Sequence, residues 1–193
     1  MSDKATIERR GILSKVELRA GKDEKSPGML CGYAALFGSL SQDLGGFQEQ
    51  IELGAFTDAV ARDDIRCLRN HEPDCLLGRN INGTLRLRED DKGLYFECDL
   101  PNTTHGRDTA EMISRGDMSG CSFSFSVDSY AWDFDASPPV RTLRKVKLYD
   151  AGPVTYPAYP DTSVACRSLE ASRPLAADPL ALHKARLKLA GAF

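Results

Sequence analysis

Apolar and polar residues alternate over short runs along most of this chain, the period-two signature of strands buried on one face. The cleanest run sets Leu85 and Leu87 against Arg86 and Arg88, passes through Glu89-Asp90-Asp91-Lys92-Gly93, and returns with Leu94, Phe96, Cys98 and Leu100 against Tyr95, Glu97 and Asp99. That pattern predicts an antiparallel hairpin, ended by Pro101. Further runs predict strands over residues 12–18, 29–37, 47–53, 65–70, 122–127 and 141–149, with a turn at Gly45-Gly46. Helical spacing is rarer. Residues 54–60 predict a short helix with Phe56, Ala59 and Val60 inward, and Thr103 or Thr104 caps a helix that runs to about Ser114 and stops at Gly116. Strands outnumber helices, so the expected fold is mainly β (α+β): a closed β-barrel with a few surrounding helices.

Three stretches differ in character. Residues 1–28 form an N-terminal strand and turn, 29–167 the barrel domain, and 168–193 a tail. In the tail Pro174 and Pro179 precede a short basic amphipathic helix, expected over 180–189. A chain of 193 residues has room for one well-buried core. Its 41% hydrophobic and 27% charged content are those of an ordinary globular protein. A net charge of −3 gives no reason to expect nucleic acid or an anionic membrane as partner. No apolar run is long enough to span a bilayer and residues 1–10 lack a signal core, so the expected setting is the cell interior.

Cys31, Cys67, Cys75, Cys98, Cys121 and Cys166 are scattered without tight spacing and read as reduced, mostly buried thiols. Cys67-x3-His71-x3-Cys75 invites a zinc site, but Pro73 and the preceding β-type run oppose the helix that would align the three, and a fourth ligand is not evident. No metal or cofactor is expected.

The candidate chemistry lies in three segments: Leu68-Arg69-Asn70-His71-Glu72-Pro73, Ser119-Gly120-Cys121-Ser122-Phe123-Ser124-Phe125, and Leu148-Tyr149-Asp150 with the Gly-, Pro- and Tyr-rich run behind it. A hydroxyl nucleophile needs a base to take its proton, and the base needs a third group to orient it. His71 is the candidate base, since imidazole's ordinary pKa of about 6.5 suits it to both proton transfers. Ser122 is the first choice for the nucleophile, because Gly120 leaves room for a substrate carbonyl. Ser124 shares its face and Ser119 stands just ahead, so both stay open as alternatives; a serine-lined face without chemistry is the plain reading. Cys121 points the other way and belongs to the core. Asp150 is the candidate orienting group, whereas Glu72 is too close to His71 in the chain to fold onto its ring. His105 and His183 read as solvated, and Arg79 and Arg167 as surface ion pairs or electrostatic supports. No Gly-x-Ser-x-Gly elbow occurs.

An ordered series of short blocks carries a family resemblance. It runs through Gly32-Tyr33-Ala34-Ala35-Leu36-Phe37, Gly54-Ala55-Phe56, Asn70-His71-Glu72-Pro73, Leu77-Gly78-Arg79, Gly83-Thr84-Leu85 and Gly93-Leu94. Arg115-Gly116-Asp117-Met118-Ser119-Gly120-Cys121-Ser122-Phe123 and Pro153-Val154-Thr155-Tyr156-Pro157-Ala158-Tyr159-Pro160 complete it. Over roughly residues 30–165 the chain resembles the HK97-type prohead (capsid-maturation) serine proteases of tailed bacteriophages. The resemblance implies a serine endopeptidase on a β-barrel similar to that of herpesvirus assembly proteases. It implies cleavage of the major capsid protein and its scaffold segment, and of the enzyme itself, inside the assembling procapsid in the bacterial cytoplasm, with self-association. Where the herpesvirus relatives use a second histidine as third triad member, this chain offers Asp150. A catalytically inactive barrel serving as an assembly or scaffold-binding module is the competing reading.

Overall fold

The computed structural model describes residues 6–12, 15–21 and 25–157. In chain order its elements are β1 (Glu8–Ile12), β2 (Glu17–Arg19), β3 (Met29–Leu36), β4 (Gln48–Ile51), α1 (Thr57–Arg62), β5 (Arg66–Leu68), β6 (Leu76–Arg79), β7 (Leu85–Glu89), β8 (Gly93–Asp99), α2 (Thr104–Ser114), β9 (Gly120–Asp133) and β10 (Val140–Val154). Single 3₁₀ turns, Arg69–His71 and Asn80–Asn82, follow β5 and β6. No helix among the described residues is long and apolar enough to cross a membrane. The tail helix expected over 180–189, with Arg167, His183 and Cys166, lies outside the described residues.

The strands form two open sheets. One has six strands in the order β1-β9-β10-β5-β6, with β4 parallel to the first part of β10; the other has the order β2-β3-β8-β7. The expected closed barrel is therefore not formed. Closure requires every strand to be paired on both sides, whereas β1, β6, β2 and β7 each end a sheet. Alternation along a strand states which face is buried. It does not state which neighbour takes each edge.

Both sheets turn an apolar face to one core. Phe123 and Phe125 of β9 stack with ring centroids 5.0 Å apart, and Phe56, just ahead of α1, meets Phe123 edge-on at 5.5 Å. Leu30 of β3 with Leu94 and Phe96 of β8 fill the same core from the other sheet. Each such side chain, fully buried, contributes roughly 1.5–3 kcal/mol.

The hairpin forms as predicted, with Leu85 opposite Cys98 and Leu87 opposite Phe96. So does α2: the Thr103 hydroxyl accepts the Gly106 N–H at 3.2 Å, and Gly116 at φ 82° ends the helix. Gly106, Thr109, Ala110 and Ile113 make its buried stripe. The single strand expected over 12–18 is instead two strands in different sheets, β1 and β2. The inward face of β1 is Glu8 and Arg10, and a buried charged face gives no apolar alternation to read.

Candidate active site

Two long neighbouring strands and one tight turn assemble the site. On β9 the residues Ser122, Ser124 and Ser126 face away from Phe123 and Phe125, and all three are buried. β10 pairs antiparallel with β9, setting Gly152 opposite Ser122 and Asp150 opposite Ser124. Asp150 is not at a strand end as the sequence suggested. It lies inside β10, just past a register shift at Leu148/Asp150, and also pairs with Arg66 of β5. An extra residue in a ladder re-aims the side chains that follow it.

β5 delivers the histidine through a strained turn. Asn70 and His71 both take positive φ, 55° and 58°. Asn and His are among the non-glycine residues that tolerate this left-handed region, at a cost of about 1–3 kcal/mol that the surroundings must offset. The turn is clamped: the Thr155 N–H donates to Asn70 Oδ1 at 2.8 Å, and Asn70 Nδ2 donates to Thr155 Oγ1 at 3.3 Å. The turn also closes on itself, with Arg69 N–H donating to the Cys75 carbonyl and Cys75 N–H to the Glu72 carbonyl.

The result is one connected chain of polar atoms. His71 Nδ1 lies 2.5 Å from Asp150 Oδ1, and His71 Nε2 lies 2.8 Å from Ser122 Oγ. The Ser124 hydroxyl donates to the other carboxylate oxygen, Asp150 Oδ2. An ionised carboxylate only accepts, so Nδ1 carries the imidazole proton and Nε2 presents its lone pair to Ser122. A further acceptor meets the same hydroxyl: the backbone carbonyl of Arg10, on β1, lies 2.9 Å from Ser122 Oγ. With one proton to give, Ser122 donates to the imidazole when it is neutral. Its other acceptor within reach is the Arg10 carbonyl.

The remaining candidates fall elsewhere. Ser119 is exposed ahead of β9, its carbonyl accepting the Val16 N–H. Cys121 faces the core, its Sγ donating to the Gly152 carbonyl at 3.1 Å, and burial pushes its thiol up to about 12. Cys67, beside Cys98 in the core, is also pushed well up, first by its hydrogen bond to Cys98 and then by burial. Cys67, His71 and Cys75 diverge to the core, to Ser122 and to Arg69, and no group of potential metal ligands occurs among the described residues. His105 is not solvated as expected: it is half-buried on α2, Nδ1 3.4 Å from Arg69 Nη2. Arg79 pairs with Asp64 at 2.7 Å, an interaction that leads the causes holding the Asp64 carboxyl at about 2. Sequence reasoning missed the second anchor of Asp150 at Ser124, the Arg10 carbonyl and the Asn70–Thr155 clamp. Of these, only Asn70 left a signal, as a turn-tolerant residue directly before His71.

A buried carboxylate, an imidazole and a hydroxyl are joined in that order, an arrangement similar to that of serine hydrolases. The chain belongs to the caudovirus prohead serine proteases, whose family model matches residues 14–174. It is thus a serine protease of prohead maturation. Its backbone is similar to that of the bacteriophage T4 capsid assembly protease, with a TM-score of 0.52 at 12% identity over 77% of this chain and 96% of that one. No curated protein matches it.

Proposed function

We propose that Ser122 is the nucleophile of an endopeptidase, His71 its general base and Asp150 the group that orients and charge-balances the base. The continuous contact from Ser124 through Asp150 and His71 to Ser122 supports this reading. As Oγ attacks the carbonyl carbon of the scissile amide, its proton passes to Nε2. The imidazolium, stabilised by Asp150, then gives that proton to the leaving amine, and an acyl-enzyme remains on Ser122. Water, deprotonated by the same imidazole, releases the acid product. Because the base must be neutral to accept a proton, acid suppresses turnover.

The substrates in this reading are the major capsid protein, its scaffold segment and the enzyme itself, cut within the procapsid in the host cytoplasm. Residues 29–167 form the protease unit together with β1 and β2, which pair onto β9 and β3, and the tail from 168 recruits it to coat or scaffold. Intact-mass measurement of the protein mixed with its coat protein tests the reading. Wild type shortens the coat protein, and Ser122→Ala leaves both chains uncut. Cleavage by Ser122→Ala moves the nucleophile to Ser124 or Ser119, and an inert wild type favours the assembly-module alternative.

A further inference from the structure

On the edge that faces away from β9, β10 changes partners along its length. Its first part pairs with β4 over Val140–Leu143, and β5 joins only at Asp150. Between them, among the described residues, no strand takes that edge. Two groups from either end of α1 serve it instead. The Ala55 carbonyl accepts the Val146 N–H at 3.2 Å, and Asp63, directly after α1, accepts the Leu148 N–H through Oδ2 at 2.8 Å. Leu148 is also where the ladder to β9 slips. Leu148 lies opposite Phe125 and Asp150 opposite Ser124, so Tyr149 is the extra residue. Asp63 thus grips the backbone at the start of the bulge that aims Asp150.

Asp63 is itself well braced. Its N–H donates to the Ala59 carbonyl at 2.9 Å, and its carbonyl accepts from Asn80 Nδ2 at 2.8 Å. Its carboxylate, by contrast, meets no cation among the described residues, since Arg66 and Arg79 pair with the neighbouring Asp64. A half-buried carboxylate given over to one backbone N–H makes a charge-assisted bond, stronger than the strand bond it replaces. At the other end of the bulge the Asp150 carboxylate meets Ser124 and His71. The backbone position set at Leu148 therefore decides whether Oδ1 reaches Nδ1.

We infer that Asp63 is a positioning residue for cleavage: by holding the Leu148 N–H it fixes the bulge that directs Asp150 onto His71. It touches none of the reacting atoms. The inference rests on the proposed triad, because the aim of Asp150 matters only if Asp150 orients the base.

The test is a set of variants of the full chain, assayed on a coat-protein peptide as turnover per folded molecule. Asp63→Ala lowers kcat about ten- to hundredfold with KM nearly unchanged, the scale of a misplacement of about 1 Å. Asp63→Asn keeps an acceptor for the Leu148 N–H and restores turnover to within about threefold of wild type. Asp63→Ser, whose hydroxyl stops one bond short, reads the same loss as Asp63→Ala should the latter fold poorly. In the Asp150→Asn background Asp63→Ala costs nothing further, as expected of residues that act through one another. Wild-type turnover in Asp63→Ala and Asp63→Ser, or a loss that multiplies with that of Asp150→Asn, overturns the inference and leaves the triad standing. Unchanged turnover in Asp150→Asn, or failure of a fluorophosphonate to label Ser122 in wild type, overturns the triad and the inference with it.

Discussion

Where β1, β4 and β10 meet, Glu8, Arg10, Glu49 and Arg141 close a buried ring in which each guanidinium meets both carboxylates, as in Arg10–Glu49 at 2.8 Å and Arg141–Glu8 at 2.7 Å. Where β9 and β10 meet the His71 turn, Ser124, Asp150, His71 and Ser122 form a line instead, ending on the Arg10 carbonyl. In the ring two guanidinium charges balance two carboxylates. In the line, Oδ1, Oδ2, Nε2 and the Arg10 carbonyl accept, and only the two hydroxyls and Nδ1–H donate, so the Ser122 proton has two destinations. Closed pairing fixes a strand in place. An acceptor in surplus leaves a proton free to transfer. Arg10 belongs to both clusters, its guanidinium in the ring and its carbonyl on the Ser122 hydroxyl.

The sharpest way to break this contrast is to remove the proposed base. His71→Ala should cost on the order of a millionfold in turnover of a coat-protein peptide with little change in melting temperature, because triad members act as a unit. Asp150→Asn should cost less, about ten-thousandfold, since it permits the wrong imidazole tautomer without removing the base. Unchanged turnover in Asp150→Asn would place the orienting group elsewhere. The ring should respond in the opposite sense. Arg141 is 1% exposed, and Arg141→Met strands two buried carboxylates on one guanidinium. Denaturant unfolding should show a loss of about 3–5 kcal/mol, with turnover per folded molecule little changed.

The smallest effect is the ring's acid sensitivity. Burial opposes ionisation of Glu8, but its hydrogen bond and charge contact with Arg141, joined by those with Arg10, more than offset this and hold the carboxyl below its ordinary 4.5. The unfolded chain therefore binds the proton more readily. The stabilisation is fully present above pH 4.5 and is lost as pH falls through the lower folded value. Melting temperature should drop over that acidic window, and Glu8→Gln should flatten the drop. An equal slope in the variant would remove Glu8 from the explanation.

What the sequence disclosed follows the same divide. The hairpin, the α2 cap and stop, and the two faces of β9 were legible because apolar periodicity and local capping encode them. His71, Ser122 and Asp150 were legible as candidates, and the choice among Ser119, Ser122 and Ser124 was not, because it depends on register. Gly152 opposite Ser122 and Asp150 opposite Ser124 are long-range pairings, further displaced by the shift after Leu148. β6 escaped notice because four residues centred on Leu77-Gly78 are too short to show a period. The expected barrel failed for the reason β1 was misread: pairing between distant edges, and a buried face of Glu and Arg, leave no hydrophobic trace.

The most direct test of the central claim is the site of covalent capture. A fluorophosphonate incubated with the full-length protein, followed by digestion and mass mapping, should place one adduct on Ser122 and none on Ser119, Ser124 or Ser126, and His71→Ala should abolish it. An adduct on Ser124 or Ser119, or capture of Ser122 that persists without His71, would contradict the proposed line of proton transfer.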